Sequence, residues 1–433
     1  MTLGSSPDSG SACSKRTEGD RAPRRQPGRR RIVIVGGGFG GLACARALAG
    51  AQAHVVLIDR RNHHLFQPLL YQVSTAALSP ADIAAPIRRV LARAPNLDVM
   101  LAEVSGVDTR AQHVQLSGGG FVAYDQLVLA TGSAYNYFAH PEWAQHAPAP
   151  KSIADARTIR ARLLKSFEDA ETCPDPTRRK SLMTVVVVGG GPTGVEMAGT
   201  VAELARYTLK GDFRRIDPRE ARVILVEAGP RILNAFPATL GAYALAALEK
   251  LGVEVRLNSP VERIDRTGLQ FAGERLDAET IIWGAGIKAA VGAEWIGGTA
   301  DRGGRMPVEA NMVVVGHEKI FALGDVALFM QDGASLPALA QVAQQQGRHL
   351  GRQLRKPGTP SPYRYKTRGD TAVIGRHAAV YTYGHFNLKG RLAWLLWSVV
   401  HVYLLIGFER RAMVMMQWIW RYFTFERGAR LID

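Results

Sequence analysis

The chain has 433 residues, more than one ordinary hydrophobic core takes up, so two or three domains are expected. An apolar content of 47% belongs to a globular protein and argues against a polytopic membrane protein. The net charge of +16 is uneven: residues 1–31 carry eight Lys and Arg against three acids, and residues 388–433 carry seven against three. No nucleic-acid-binding module is legible, so no nucleic-acid partner is expected. An anionic membrane surface suits basic ends beside apolar stretches better.

Residues 1–30 are rich in Ser, Gly, Pro and Arg and have no apolar core of a secretory signal. They read as a disordered basic tail, and Asp8, Glu18 and Asp20 count against a transit peptide. Cys13, Cys44 and Cys173 lie far apart with no C-x-x-C. That argues against a disulfide framework and a cysteine metal site, and suits a reducing compartment. No metal is expected.

"RIVIVGGGFGGLACARALAG" opens with a β-branched run, Ile32 to Val35, then gives Gly36-x-Gly38-x-x-Gly41 and an Ala/Leu helix. Glycines at this spacing permit a tight turn, close approach of a pyrophosphate, and close helix–strand packing. The helix N-terminus offers free N–H groups and positive dipole to phosphates. "HVVLID" is a second strand ending in Asp59, placed to accept ribose hydroxyls. Phe39, Gly40 and Arg60 complete this candidate set. "LVLATGS" (127–133) reads as a buried strand ending in a small-residue turn, Ala130, Thr131 and Gly132.

The pattern then returns. "TVVVVGGGPTGVEMAGTVAELA" gives strand Val185–Val188 and Gly189-x-Gly191-x-x-Gly194, with Pro192 and Thr193 inside the turn. "RVILVEAG" ends a second strand in Glu227, after an extension over residues 207–221. An acid there accepts ribose hydroxyls and repels a 2′-phosphate, which favours NADH over NADPH. "IIWGAG" (281–286), with Gly284 and Gly286, mirrors the turn of the first unit. "IFALGDVA" (320–327) is a late buried strand ending in Gly324-Asp325.

Together these motifs resemble the two-dinucleotide-domain flavoproteins. The resemblance implies FAD on the first unit, NAD(P)H on the second, and Gly324-Asp325 beside the FAD ribityl and phosphate region. It also implies an α/β fold of two Rossmann-like domains, the FAD domain discontinuous with the NAD domain inserted. The expected divisions are a basic tail (1–30), a first segment of the FAD domain (31–150), the NADH domain (151–297), a second segment of the FAD domain carrying the quinone-site helix (298–387), and C-terminal membrane-associated helices (388–433).

Members that reduce disulfides need two cysteines near the flavin. Here Cys44 stands alone on the first helix, where core packing explains it, and Cys173 precedes a Pro-rich turn. Two stretches narrow the family. "HHLFQPLLYQVSTAALSPADIAAPIR" (63–88) and "LPALAQVAQQQGRHLG" (336–351) resemble type II NADH:quinone oxidoreductases, with residues 31–433 covered. The most specific motif is Ala340-Gln341-x-Ala343-x-Gln345-x-Gly347. The resemblance implies that Gln341 and Gln345 lie at the quinone pocket. Four apart, they share a helix face, and an amide can orient a quinone carbonyl without titrating. Glu196 has two readings. It is a favourable charge near a helix N-terminus or, as the resemblance implies, a group beside the nicotinamide on a proton path. His63 and His64 read as surface residues or, alternatively, as loop residues near the flavin.

Ala393–Ile406 is apolar apart from Ser398 and His401. At about 21 Å as a helix it is too short to span a bilayer. Gly407 breaks it, and Glu409–Phe425 follows as an amphipathic helix with Arg410, Gln417, Arg421 and Thr424 on one narrow arc shared with Val414. Trp394, Trp397, Trp418 and Trp420 suit a headgroup boundary. The tail is therefore expected to lie in a membrane interface, or to make a homodimer contact, or both. The resulting expectation is an enzyme that passes hydride from NADH to FAD and electrons to a membrane quinone, without proton pumping. It would sit peripherally on the cytoplasmic face of a bacterial inner membrane. The rivals are a soluble NADH-dependent flavin reductase serving a small redox protein or oxygen, and a non-enzymatic NADH sensor.

Overall fold

The computed structural model describes Pro23, residues 27–406, 408–424 and 430–431. The reading of residues 1–30 as a tail therefore lies mostly outside the described residues. The first unit begins with β1 (Arg30–Val35), α1 (Phe39–Ala47), β2 (Ala53–Asp59), β3 (Leu97–Leu101) and β4 (Gln126–Leu129). Ile32, Val33 and Ile34 are wholly buried, because a parallel strand covered on both faces needs apolar side chains in both directions. A short strand β5 (Ser133–Tyr135) and the long helix α2 (Ile153–Thr172) lead out of this unit. Ser152 and Asp155 close a reciprocal capping box at the start of α2.

The second unit repeats the plan with β6 (Thr184–Val188), α3 (Pro192–Glu203), β7 (Arg222–Val226), β8 (Val253–Arg256) and β9 (Thr280–Trp283). Between α3 and β7 the extension is pinned by Glu171, whose carboxylate accepts from the amides of Arg214, Arg215 and Ile216. β10 (Ile287–Ala289) then pairs antiparallel with β5, so one ribbon joins the units.

The chain returns to the first sheet through β11 (Val313–Val314) and β12 (His317–Ala322). The first sheet runs β11-β12-β4-β1-β2-β3, parallel except at β11. The second is the four-stranded parallel sheet β8-β7-β6-β9. Helix α4 (Ala340–Gln353) lies against α1 at backbone contact: a Cβ on Gly347 would come 2.0 Å from the Gly40 carbonyl oxygen. Only small residues allow that approach. Cys44 faces this seam, fully buried, and burial pushes its thiol up to about 12, so it is inert packing as expected.

A three-stranded antiparallel meander follows, β13 (Asp370–Gly375), β14 (Ala378–Tyr383) and β15 (Phe386–Gly390). It is covered by α5 (Arg391–Leu404), and α6 (Phe408–Thr424) is the last described helix. No helix among the described residues is long and apolar enough to cross a membrane. α5 buries Ala393, Trp397 and His401 and leaves Leu392, Leu395, Val399 and Tyr403 exposed.

The narrow arc of α6 turns inward. Val414 is fully buried, Gln417 donates to Asp82 at 3.4 Å, and the Trp418 indole donates to Gln72 at 3.0 Å. Met413, Met416, Ile419 and Trp420 point outward. The side chains of Arg410, Arg421 and Thr424 and the expected break at Gly407 lie outside the described residues.

Candidate active site

β1 ends in a left-handed turn. Gly36 has φ +106°, and a Cβ there would stand 2.3 Å from the Ala130 carbonyl oxygen. On Gly41 a Cβ would meet the Gly36 oxygen at 1.8 Å, whereas on Gly38 it would meet nothing within 4 Å. The three glycines thus do three jobs: turn, helix packing, and an open face toward a ligand. Asp59 fixes the turn from β2. Its Oδ2 accepts from the Gly37 amide at 2.6 Å and its Oδ1 from the Arg61 amide at 2.7 Å.

These groups line a cavity of about 240 Å³. Gly36, Gly38, Phe39, Gly40, Asp59, Ala130, Thr131, Gly132, Gly324 and Asp325 all border it. Gly41 packs behind the turn. Arg60 does not reach the cavity: it is exposed and extends to Glu103 at 3.5 Å. Arg61 lines the wall in its place, because the Asp59 bond to the Arg61 amide turns the chain just past the strand.

Lys151 on the same wall also escaped the sequence reading. Lys151 donates to the Ser133 hydroxyl at 2.8 Å, and that hydroxyl donates to Asp325 at 2.5 Å. Burial holds the Lys151 ammonium below its usual range, partly offset by Asp325. A lysine preceding a capping box carries no local signal of such a role. Of the two readings of the histidines, the surface one fails for His64, which is 4% exposed and whose ring bonds the Gly37 carbonyl at 3.1 Å. Its neighbour His63 borders the cavity. The strand Ala84–Pro86 pairs with residues 63–65 and draws both histidines in, a contact no local pattern announces.

The second unit repeats the device. Gly189 has φ +105° and would clash with Ala285, a Cβ on Gly194 would lie 1.8 Å from the Gly189 oxygen, and Gly191 faces open space. Pro192 starts α3, with Thr193 beside it. Glu227 accepts from the Gly190 amide at 2.5 Å and the Gly229 amide at 2.7 Å. A Cβ on Gly284 would lie 3.4 Å from Gly194, and Gly286 takes a left-handed φ of +70° at the start of the joining ribbon.

Glu196 stands one turn into α3, near Tyr135 of the ribbon. By surface area it is half-buried, yet protein encloses the carboxyl. Burial lifts it to about 8, against a 3.4 Å bond from the Val373 amide that pulls the other way. A carboxyl that holds its proton near neutral pH offers the helix dipole less charge than an ionised one, which weakens the first of its two readings.

Gln341 and Gln345 do share one face, but their amides bind the segment 366–370. Gln341 donates to Gly369 at 3.0 Å and to Asp370 at 3.3 Å, and accepts from the Arg368 amide at 3.1 Å. Gln345 donates to the Lys366 carbonyl at 2.9 Å and accepts from its amide at 3.3 Å. Together they strap residues 366–370 to α4, and neither borders the cavity of the first unit. Gln346, fully buried, accepts from the Gly324 amide at 2.7 Å and holds the Gly-Asp turn. Among the described residues no cluster of His, Cys, Asp and Glu is arranged to hold a metal.

Comparison with known proteins agrees with this geometry. Residues 30–347 match the family model "Pyridine nucleotide-disulphide oxidoreductase". A type II NADH:quinone oxidoreductase of Mycobacterium tuberculosis is 40% identical, over 94% of this chain and 91% of its own. The type II NADH:quinone oxidoreductase of Staphylococcus haemolyticus is 27% identical over 86% of this chain and 94% of its own. Among solved structures, NDH2 from Plasmodium falciparum in complex with NADH superposes with a TM-score of 0.85 at 21% identity, covering 94% of this chain and all of the other. That last likeness concerns the fold.

Proposed function

The chain belongs to the type II NADH:quinone oxidoreductases, and on that footing we propose that it oxidises NADH through bound FAD and reduces a lipophilic quinone, without pumping protons. The observation that carries the reading is the doubled cradle: two glycine turns, each latched to an acid at the end of the next strand. Open space at Gly38 and Gly191 fits a pyrophosphate at both. FAD, when bound, supplies the redox chemistry, accepting hydride and passing electrons on.

The residues bind and orient. In the first cradle Gly36, Gly38, Phe39, Gly40 and Gly41 present the α1 N-terminus to the FAD phosphates, and Asp59 receives ribose hydroxyls. Ala130, Thr131, Gly132, Gly324 and Asp325 line the rest, with Asp325 held through Ser133 to Lys151. In the second, Gly189, Gly191, Pro192, Thr193 and Gly194 receive NADH, Glu227 selects it over NADPH, and Gly284 and Gly286 shape the nicotinamide end. Glu196, protonated near neutral pH, delivers a proton to the reduced quinone. Gln341 and Gln345 are positioning residues that act through the 366–370 segment. Arg60 has no part in this assignment.

The exposed apolar residues of α5 and α6 support a peripheral seat on a membrane, from which quinone enters. We assign that seat to the cytoplasmic face of a bacterial inner membrane, with a homodimer as the working assembly. The test is product stoichiometry. Anaerobic NADH consumption with a ubiquinone or menaquinone should yield quinol one for one. NADH oxidation that proceeds only with oxygen or a soluble redox protein would reject the reading in favour of a soluble reductase.

A further inference from the structure

We propose that a basic cavity beside the C-terminal helices holds the phosphate of one anionic phospholipid, whose acyl chain lies in the adjoining apolar groove. The proposal rests on the membrane seat inferred above and adds a specific lipid site to it. The cavity, about 640 Å³, lies between α1, α4 and the Tyr403–Ile406 turn. Arg46, Arg348, Arg352, Arg368 and Arg411 border it, and no acid among the described residues does. α1 and α4 contain no Asp or Glu at all. Arg46, Arg348, Arg352 and Arg368 are exposed, and their guanidinium groups have no hydrogen bond or ion pair with any described residue.

Four guanidinium groups gathered without a counter-charge among the described residues repel one another, so the cluster favours an anion from outside. Forked N–H donors match phosphate oxygens better than any other common anion except carboxylate. The fifth arginine is held differently. Arg411 donates to the Leu405 carbonyl at 2.9 Å, and its guanidinium lies 5.3 Å from the Tyr403 ring centroid.

Arg411 and Tyr403 also border a second space, about 600 Å³, between α5 and α6. Trp394, Leu395, Val399 and Met415 make its walls apolar. A phosphate pocket and an apolar groove that meet at two shared residues have the form of an amphiphile. Free phosphate or a nucleotide would fill the first and leave the second empty. The outward Leu392, Val399, Met416 and Trp420 offer lipid an apolar face, and the basic cavity opens beside it at Tyr403 and Leu404.

The experiment uses the full-length, FAD-loaded protein in detergent, titrated with lipid and read by native mass spectrometry. Dioleoylphosphatidylglycerol should be retained at one per chain. Dioleoylphosphatidylcholine, of the same chains but no net charge, and glycerol phosphate, with no chains, should not. The triple variant R46Q/R348Q/R352Q should weaken phosphatidylglycerol retention by at least about 10-fold. The matched triple R110Q/R266Q/R302Q, on exposed arginines elsewhere, should leave it unchanged. Flavin bleaching by NADH in each variant verifies folding.

Equal retention of the two lipids, or an R46Q/R348Q/R352Q variant that still binds phosphatidylglycerol, would overturn the proposal. Glycerol phosphate retained as well as the lipid would assign the cavity to free phosphates. Displacement of the lipid by a short-chain ubiquinone would assign it to quinone. A parallel vesicle-sedimentation arm separates the two layers. Wild type that binds no vesicles, anionic or neutral, would bring down the membrane seat and this site with it. Equal binding to both kinds would remove the lipid site alone.

Discussion

The two nucleotide cradles share their turn, their acid and their open glycine, yet the chain treats them differently. The first is closed by returning chain. A Cβ on Gly40 would strike Leu323 at 2.2 Å and the Ala343 carbonyl at 3.2 Å, so β12 and α4 press against the turn. Gly324, Asp325 and Lys151 then wall the cavity. The second cradle has no such cover: α3 backs onto the meander instead, where a Cβ on Gly199 would meet the Ile374 oxygen. On the proposed assignment one motif serves a resident cofactor where later chain closes on it, and an exchanging substrate where, among the described residues, α3 backs onto the meander instead. Discontinuity of the first unit is what makes the distinction.

The largest effect follows from breaking each turn in the same way. Gly36→Val should purify without flavin. Gly189→Val should keep its flavin and raise the KM for NADH on the order of 100-fold, as misplacement of a bound reactant does. Absorbance spectra and steady-state kinetics read both. Flavin lost from both, or from neither, would erase the difference between the cradles.

Glu196 comes next, because it stands beside the ribbon that joins the units. Glu196→Gln should slow quinone reduction about 100-fold and leave flavin bleaching by NADH nearly intact. In wild type the quinone step should fall as pH rises through about 8, where the carboxyl gives up its proton, and the variant should lose that fall. Stability follows the same sign. The folded value of about 8 exceeds the ordinary 4.5, so the contribution is complete below 4.5 and is lost as pH rises through 8. Melting temperature against pH, wild type beside variant, checks it.

The acids give a smaller and opposite pair. Glu227→Ser should raise use of NADPH relative to NADH about 10-fold, since it removes the repulsion of a 2′-phosphate. Asp59→Ser should weaken flavin retention and leave nicotinamide preference unchanged. Relative kcat/KM for the two nucleotides decides. The smallest effect belongs to the glutamine strap. Gln341→Ala and Gln345→Ala each remove bonds worth about 1 kcal/mol and should lower the melting temperature by about 2 °C, with the quinone KM rising as the segment loosens. An unchanged melting temperature with a raised KM would mean that the amides touch quinone after all.

What the sequence made legible was local. The strand, turn and helix around Gly36 and Gly189 lie within twenty residues of one another, and Asp59 and Glu227 end recognisable strands. What it hid depends on partners far along the chain. Lys151 gains its place through Asp325, and His64 through the strand at Ala84–Pro86. Arg60 and Arg61 differ only in which way one turn sends them. Gln341 and Gln345 share a face as their spacing requires, but what that face meets is set by residues 366–370. The arc of α6 was visible as an arc, while its direction was not, because Gln72 and Asp82, more than 300 positions earlier, hold it inward.

The most direct measurement is anaerobic double-mixing stopped flow on the flavin absorbance of the purified protein, NADH first and a short-chain ubiquinone or menaquinone second. The account predicts rapid bleaching and then rapid recovery of the oxidised flavin. Bleaching that quinone does not reverse would contradict the claim that electrons leave through a quinone. Bound flavin that NADH does not bleach would contradict the pairing of the two cradles.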